Sequence, residues 1–292
     1  MLSIEEGAAN IRALILADKP FFIGRNGTIE IQAIHFWKSY RAYNSYPPEM
    51  TDLLKWNAGI FPHGHGSIDK WCYDYVKTLP LLDMTAAGWY VPTKVIEDML
   101  LTLYSPKVTR CPLRSLEPYY VLPELQWTRA LSGKKVAIVS SFTESIKGQL
   151  KKKIWTGANE GLLPSDVDWS FVQTGYSHGL ALGTCEWPSH VTSWDQAVNH
   201  VVKQVIDSGS KIALIGCGGL GMVIGGRLKA AGVSAIVLGG AIQIIFGVKG
   251  RRWATHDIIS KLWNDEWVWP AKEEIPGGAA TVEGGCYWGR DF

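Results

Sequence analysis

The sequence predicts an α/β protein with a Rossmann-like, mostly parallel sheet and helices on both faces. Three observations point there. Short apolar runs alternate with stretches of helical periodicity: "FFIG" at 21–24, "KKVAIVSS" at 134–141, "DWSFVQT" at 168–174, "KIALIG" at 211–216 and "SAIVLGG" at 234–240. The connections in the second half are short, as in strand–helix–strand units whose sheet is covered on both sides. One of them, Gly216 to Gly221, spaces its glycines as G-x-G-x-x-G between an apolar strand and a helix.

In chain order, Ile4, Ala8, Ile11 and Ile15 recur at helical spacing, and Pro20 stops that helix. The strand 21–24 leads into "RNGTIE" at 25–30 and a helix running to about Tyr43. Pro47-Pro48 marks a loop, and "GIFPHGHGS" at 59–67 is glycine-rich and irregular. Helices follow at about 69–78 and 93–104, the second opened by Pro92-Thr93. Pro106, Pro112 and Pro118 punctuate a connecting stretch. After the strand 134–141, Ser140-Ser141 opens a helix over 142–155. Ser193-Trp194-Asp195-Gln196 reads as a capping box, and the helix behind it buries Val198, Val201, Val202, Val205 and Ile206. Gly209 ends that helix, a further helix spans 219–231 and closes at Gly232, and "AIQIIFG" forms a short last one. The chain reads as one domain over 1–292, with 105–123 as its candidate seam.

At 292 residues and 47% hydrophobic content, the core is ample. A net charge of +2 argues against bulk attraction to nucleic acid. The longest apolar run, 235–248, is broken by glycines and falls short of the roughly 20 residues of a transmembrane span. The first residues lack the basic-then-apolar layout of a signal peptide. Five scattered cysteines without a C-x-x-C pair suit reduced thiols, so a cytoplasmic location is expected. Fourteen tryptophans fill core volume or, at one or two positions, stack on a sugar ring.

In such sheets ligands bind beyond the carboxyl ends of the strands, which brings the loops at 25–30, 140–147 and 216–221 to one edge. In "GRNGTIE", Arg25 suits an anionic phosphate and Glu30 a cation or a sugar hydroxyl; the alternative is a helix start with Glu30 favourably placed near the dipole. In "SSFTESIKGQ", hydroxyls and amides at a strand-to-helix turn suit a phosphate or serve as plain caps. The glycine loop suits a phosphate or ribose, or lets helix and strand pack closely. A nicotinamide site would add an acid at the end of the next strand, where Gly239 and Gly240 stand instead. His63 and His65 read as a loop pair without metal, and Lys151 to Lys153 as a solvated helix face.

Together these stretches resemble a known family. "FFIGRNGTIE" is similar to the strand and R-x-G-x-x-E signature of GT-D type glycosyltransferases. "LSGKKVAIVSSFTESIKGQ" resembles a strand-and-helix block of their bacterial and viral relatives, with S-S-F where H-P-F is common. "IGCGGLGMVIGG", the "GG-x-x-Q-x-x-FG" element at 239–247, the basic run behind it and the ending "VEGGCYW" also resemble that group. The resemblance covers most of the chain and is weakest across 44–110.

It implies a GT-D type fold and transfer of a sugar from a nucleotide-diphosphate donor to a glycan or other hydroxyl, with Mn²⁺ or Mg²⁺. The family's Asp-x-Glu pair aligns with Thr28 and Glu30, so Glu30 and Thr28 are the metal candidates. Glu30 and Glu144 are the candidate general bases. The donor-binding candidates are Arg25, Gly27, Ser141, Ser145, Lys147, Gly216, Gly218, Gly219, Gly221, Gly240, Gln243 and Lys249. Arg25, Lys147 and Lys249 are cations able to stand in for a weak metal. A nicotinamide-dependent oxidoreductase and a non-catalytic nucleotide-sugar-binding module are the other readings. The oligomeric state is left open.

Overall fold

Where the apolar runs fall, strands form. In the structure, a computed structural model describing residues 1–39 and 45–289, they are β1 (Phe22–Arg25), β4 (Lys135–Ser140), β5 (Asp168–Gln173), β6 (Ile212–Gly216) and β7 (Ser234–Val237). Two three-residue strands join them, β2 (Met84–Ala86) and β3 (Thr109–Cys111). All pair in parallel, in the order β3-β2-β1-β7-β6-β4-β5. The fold is α/β and Rossmann-like, as the alternation predicts. One continuous sheet spans both halves of the chain, because β1 hydrogen-bonds to β7.

Side chains alternate between two apolar layers. Phe22, Ala137, Val139, Ala213, Ile215, Ala235 and Val237 face one layer. It is covered by α2 (Thr28–Ser39), α3 (Pro48–Trp56), α4 (His65–Thr78), α5 (Lys94–Tyr104), α8 (Trp194–Asp207) and α9 (Gly221–Ala230). Ile23, Val136, Ile138, Ile212, Leu214 and Ile236 face the other, which packs on α1 (Ile4–Leu16), α6 (Thr143–Gln149), the short α7 (His178–Ala181), α10 (Ala241–Ile245) and the C-terminal turns. Trp71, Trp127, Trp194 and Trp288 are fully buried fillers of these layers. At Gly225 a Cβ would land on the Phe22 ring, so glycine lets α9 lie directly on β1.

Several expectations are corrected. Residues 142–155 do not form one helix; α6 stops at Gln149, and the Lys151–Lys153 stretch has no apolar face to bury. Pro48 begins α3 rather than a loop, at a position where its missing N–H is no loss. The helix after 25–30 is described to Ser39; its expected end near Tyr43 lies outside the described residues. The Ser193 hydroxyl does cap α8, but Gln196 reaches back to the Thr192 amide (2.7 Å), and Ile206 faces solvent. Among the described residues no helix is long and apolar enough to cross a membrane.

Candidate active site

The chain leaves β4 toward one sheet edge and β6 toward the other, so the crevice between these neighbours is a topological switch point, where open α/β sheets bind ligands. A cavity of about 530 Å³ opens there. Its wall is assembled from the segments following six strands: 25–30 after β1, 89–90 after β2, 141–142 after β4, 174–177 after β5, 216–220 after β6 and 239–243 after β7. The C-terminal residues Val282, Glu283, Tyr287 and Trp288 close one side together with Arg252.

The first loop is rigidly held. Asn26 donates to Glu97 Oε1 (2.9 Å) and accepts from the Tyr75 hydroxyl (2.8 Å), while its carbonyl accepts from Trp89 Nε1 (3.3 Å). Glu97 also accepts from the Gly88 amide (2.7 Å). The network clamps the turn between β1 and α2 and aims Arg25 along the cavity. The Arg25 guanidinium lies 4.7 Å from the Trp89 ring centroid and runs beneath the β7–α10 turn, where a Cβ on Gly239 would collide with it. Its Nε is buried without a hydrogen-bond partner, and among the described residues it forms no ion pair within 4.0 Å.

Thr28, Ile29 and Glu30 form the first turn of α2 and line the cavity, so the positive end of this helix faces the ligand space. The Glu30 carboxylate folds back over Gly27 and reaches within 3.3 Å of the place a Gly219 Cβ would take. Both glycines therefore make room for it. Burial pushes the Glu30 carboxyl above its ordinary range; its own backbone N–H and Arg25 pull the other way. Glu283, a second carboxylate in the wall, adds to the rise and pairs with Arg252 at 3.8 Å.

The glycine loop behaves in both ways the sequence left open. Gly216, Gly218 and Gly219 line the cavity. Gly218 adopts φ +46°, a conformation that favours glycine. The Gly219 amide, however, donates to the Ala58 carbonyl (2.8 Å), and its carbonyl accepts from Trp71 Nε1 (3.1 Å). Gly221 faces Val237 and Ile215 and serves packing alone. The thiol of Cys217, inside the loop, is pushed up to about 12 by burial, which disfavours the thiolate.

Ser141 accepts from the Tyr176 hydroxyl (2.7 Å), which leaves its own proton free to donate into the cavity. Gln243 is fully buried; its Nε2 donates to the Tyr287 carbonyl (3.0 Å), and its Oε1 has no partner among the described residues. The buried Ser177 hydroxyl is likewise unpartnered, and both residues line the cavity. Both atoms lie beneath the cavity surface, out of solvent contact.

Ten of the residues singled out in the sequence thus share one cavity: Arg25, Gly27, Thr28, Glu30, Ser141, Gly216, Gly218, Gly219, Gly240 and Gln243. Five others lie elsewhere. Ser145 and the amide of Glu144 at the start of α6 are taken by the Glu274 carboxylate, which accepts from Glu144 N (2.8 Å), Ser145 N (3.1 Å) and the Ser145 hydroxyl. A carboxylate of the chain itself occupies the helix terminus that suited a phosphate. The Glu144 carboxylate points outward beside Lys147 at 4.0 Å, both well exposed. Lys249 lies 5.5 Å from the Trp263 ring, and Gly221 is packed. Sequence reasoning missed Trp89, Tyr176, Trp187, Arg252, Glu283 and Tyr287 as residues of the wall. Of these, the tryptophan surplus, the basic run that holds Arg252 and the "VEGGCYW" ending carried a signal.

Among the described residues no group of three His, Cys, Asp or Glu side chains gathers as a metal site. Thr28 and Glu30 are one hydroxyl and one carboxylate, a donor set that suits Mg²⁺ or Mn²⁺ only when substrate phosphates and waters complete the shell. No family model, no curated protein and no solved structure matches the chain, so the site is read from its own geometry.

Proposed function

We propose that the protein is a glycosyltransferase that moves a sugar from a nucleotide-diphosphate donor, of UDP or GDP type, to a hydroxyl of a glycan or other acceptor. The observation that carries the reading is Arg25, a cation with no ion pair within 4.0 Å among the described residues, in a cavity ringed by hydroxyls, glycine backbone and a helix N-terminus. Such a rim fits a pyrophosphate whose negative charge grows as the glycosidic bond breaks. The GT-D resemblance of the loops that form it adds support.

In this reading Arg25 and Arg252 neutralise the departing diphosphate, and Ser141 and the first turn of α2 donate hydrogen bonds to it. Gln243, through its bond to the Tyr287 carbonyl, holds the wall in place. Trp89 and Trp187 give flat apolar walls to the sugar or the base. Glu30 takes the proton of the acceptor hydroxyl as its oxygen bonds the anomeric carbon and the bond to the diphosphate oxygen breaks. A divalent ion carried on the diphosphate would be held by Glu30 and Thr28 and would supply further charge neutralisation. Five free thiols suit a reducing compartment, and the reading places the enzyme in the cytoplasm.

Calorimetry against a panel of UDP- and GDP-sugars, with and without Mn²⁺, tests the proposal; silence across the panel refutes it. A nicotinamide site rests on the glycine loop alone. The Gly219 amide already engaged by Ala58 and the absence of an acid after β7 weigh against it. Tight NADH binding would reverse that judgement. A non-catalytic nucleotide-sugar-binding module would bind donor and leave it unreacted in the presence of acceptors.

A further inference from the structure

The apolar residues of α5 do not all turn inward. Leu100 and Leu101 are buried, but Val91, just before the helix, and Val95, Met99 and Leu103 within it are 78%, 70%, 59% and 55% exposed. Spaced every fourth residue, they form a stripe along one face. Twelve residues of helical rise make it about 18 Å long. Met1, also exposed, extends the stripe: its methyl carbon lies 3.4 Å from where a Gly88 Cβ would sit, beside the stem of Lys94. Tyr90 begins the stripe and also lines the cavity.

Cations frame this stripe. Lys94 stands at one end, Lys107 just past the other, and Lys38 of α2 lies 4.9 Å from the ring of Tyr104 on α5. The acids of α5 are occupied. Asp98 pairs with Arg110 at 2.9 Å, and Glu97 is buried in its bonds to Asn26 and Gly88. A contiguous exposed apolar patch marks an interaction surface. An apolar helix face bordered by lysines is the pattern of helices that lie in a lipid headgroup layer. A second copy of the chain fits less well, because two stripes packed antiparallel would set Lys94 of one copy near Lys107 of the other.

We propose that the α5 face docks on an anionic lipid bilayer. Val91, Val95, Met99 and Leu103 enter the headgroup–acyl boundary, and Lys38, Lys94 and Lys107 meet lipid phosphates. Docking in this pose turns the Tyr90 side of the cavity toward the bilayer; on the glycosyltransferase reading, the acceptor is then an amphiphile held in that bilayer.

Flotation of the full chain with phosphatidylcholine vesicles, with and without phosphatidylserine, tests the docking independently of any catalysis. The protein is expected to float with the anionic vesicles and to be released by salt. Val95→Asp with Met99→Asp should weaken this binding by at least about tenfold through lost apolar burial. Lys94→Glu with Lys107→Glu should weaken it about fivefold per lysine lost. Unchanged melting temperatures and unchanged UDP binding certify that the variants are folded, and if the Asp pair fails to fold, the charge-reversed pair decides. Absence of flotation, binding that ignores both pairs, binding indifferent to phosphatidylserine, or a dimer in solution that both pairs dissolve would each overturn the proposal. Flotation without any sugar transfer leaves the docking standing and removes the catalytic reading.

Discussion

Arg25→Met keeps a stem to lie against Trp89 and removes the cation. The guanidinium forms no ion pair among the described residues, and its Nε is buried without a partner. Charge-assisted bonds to phosphate contribute about 1.5–3 kcal/mol each, so losing one should weaken nucleoside-diphosphate affinity about tenfold to a hundredfold. The empty protein should respond in the opposite sense. The stacked cation contributes about 0.5–1 kcal/mol through Trp89 and attracts the buried Glu30 and Glu117 carboxyls, while relief from desolvating a charge with no ion pair within 4.0 Å among the described residues works against that loss. In a chain of this size one kcal/mol moves the melting point by only about 2 °C. Calorimetry with UDP and GDP, beside thermal melting of the ligand-free protein, reads both signs. Unchanged affinity, or a melting point lowered by about 4 °C or more, would make Arg25 a structural strut and remove the argument for a diphosphate rim.

Glu30→Gln should retain donor binding measured without divalent ion while lowering turnover by about 10²–10⁴, measured in single-turnover sugar transfer. Because burial raises the Glu30 pKa and the base acts ionised, wild-type kcat/KM should climb as pH rises through that raised value, and the Gln variant should lose this limb. Glu274→Ala strands the amides of Glu144 and Ser145, while the Ala271 amide keeps the Ser145 hydroxyl, and should destabilise by about 2–4 kcal/mol in urea titrations, while UDP affinity of the folded protein is kept because α6 lies outside the cavity. Glu117 is pushed up to about 7 by burial, against the pull of Arg25. Its folded pKa exceeds its unfolded one, so the stability it contributes is complete below about 4.5 and is lost as pH rises toward about 7. Glu117→Gln should flatten that fall, seen as urea midpoints that converge between about pH 5 and about pH 8.

The strands β4, β6 and β7 were legible because residues buried on both faces of a parallel sheet read as unbroken apolar runs. β2 and β3 have three residues each, too few for any periodicity, and are held in the sheet by neighbours distant in sequence. The loops at 25–30 and 216–219 were placed correctly at one rim because the carboxyl ends of parallel strands share an edge. The loop after β4 divided: Ser141 reached the rim, while Ser145 met Glu274 from 129 residues away, a competitor no local pattern announces. Arg252, Glu283 and Tyr287 reach the wall through the C-terminal turns, which have no repeat to read.

The pairing of β1 with β7 joins residues separated by more than two hundred positions. During translation, Phe22 and Ile23 emerge more than two hundred residues before their partners Ala235 and Ile236. Until then the first half of the sheet carries an open edge at its centre rather than at its margin, a template for wrong pairing. A nascent chain of this topology therefore depends on whatever shields that edge until the last strand slides between its two halves.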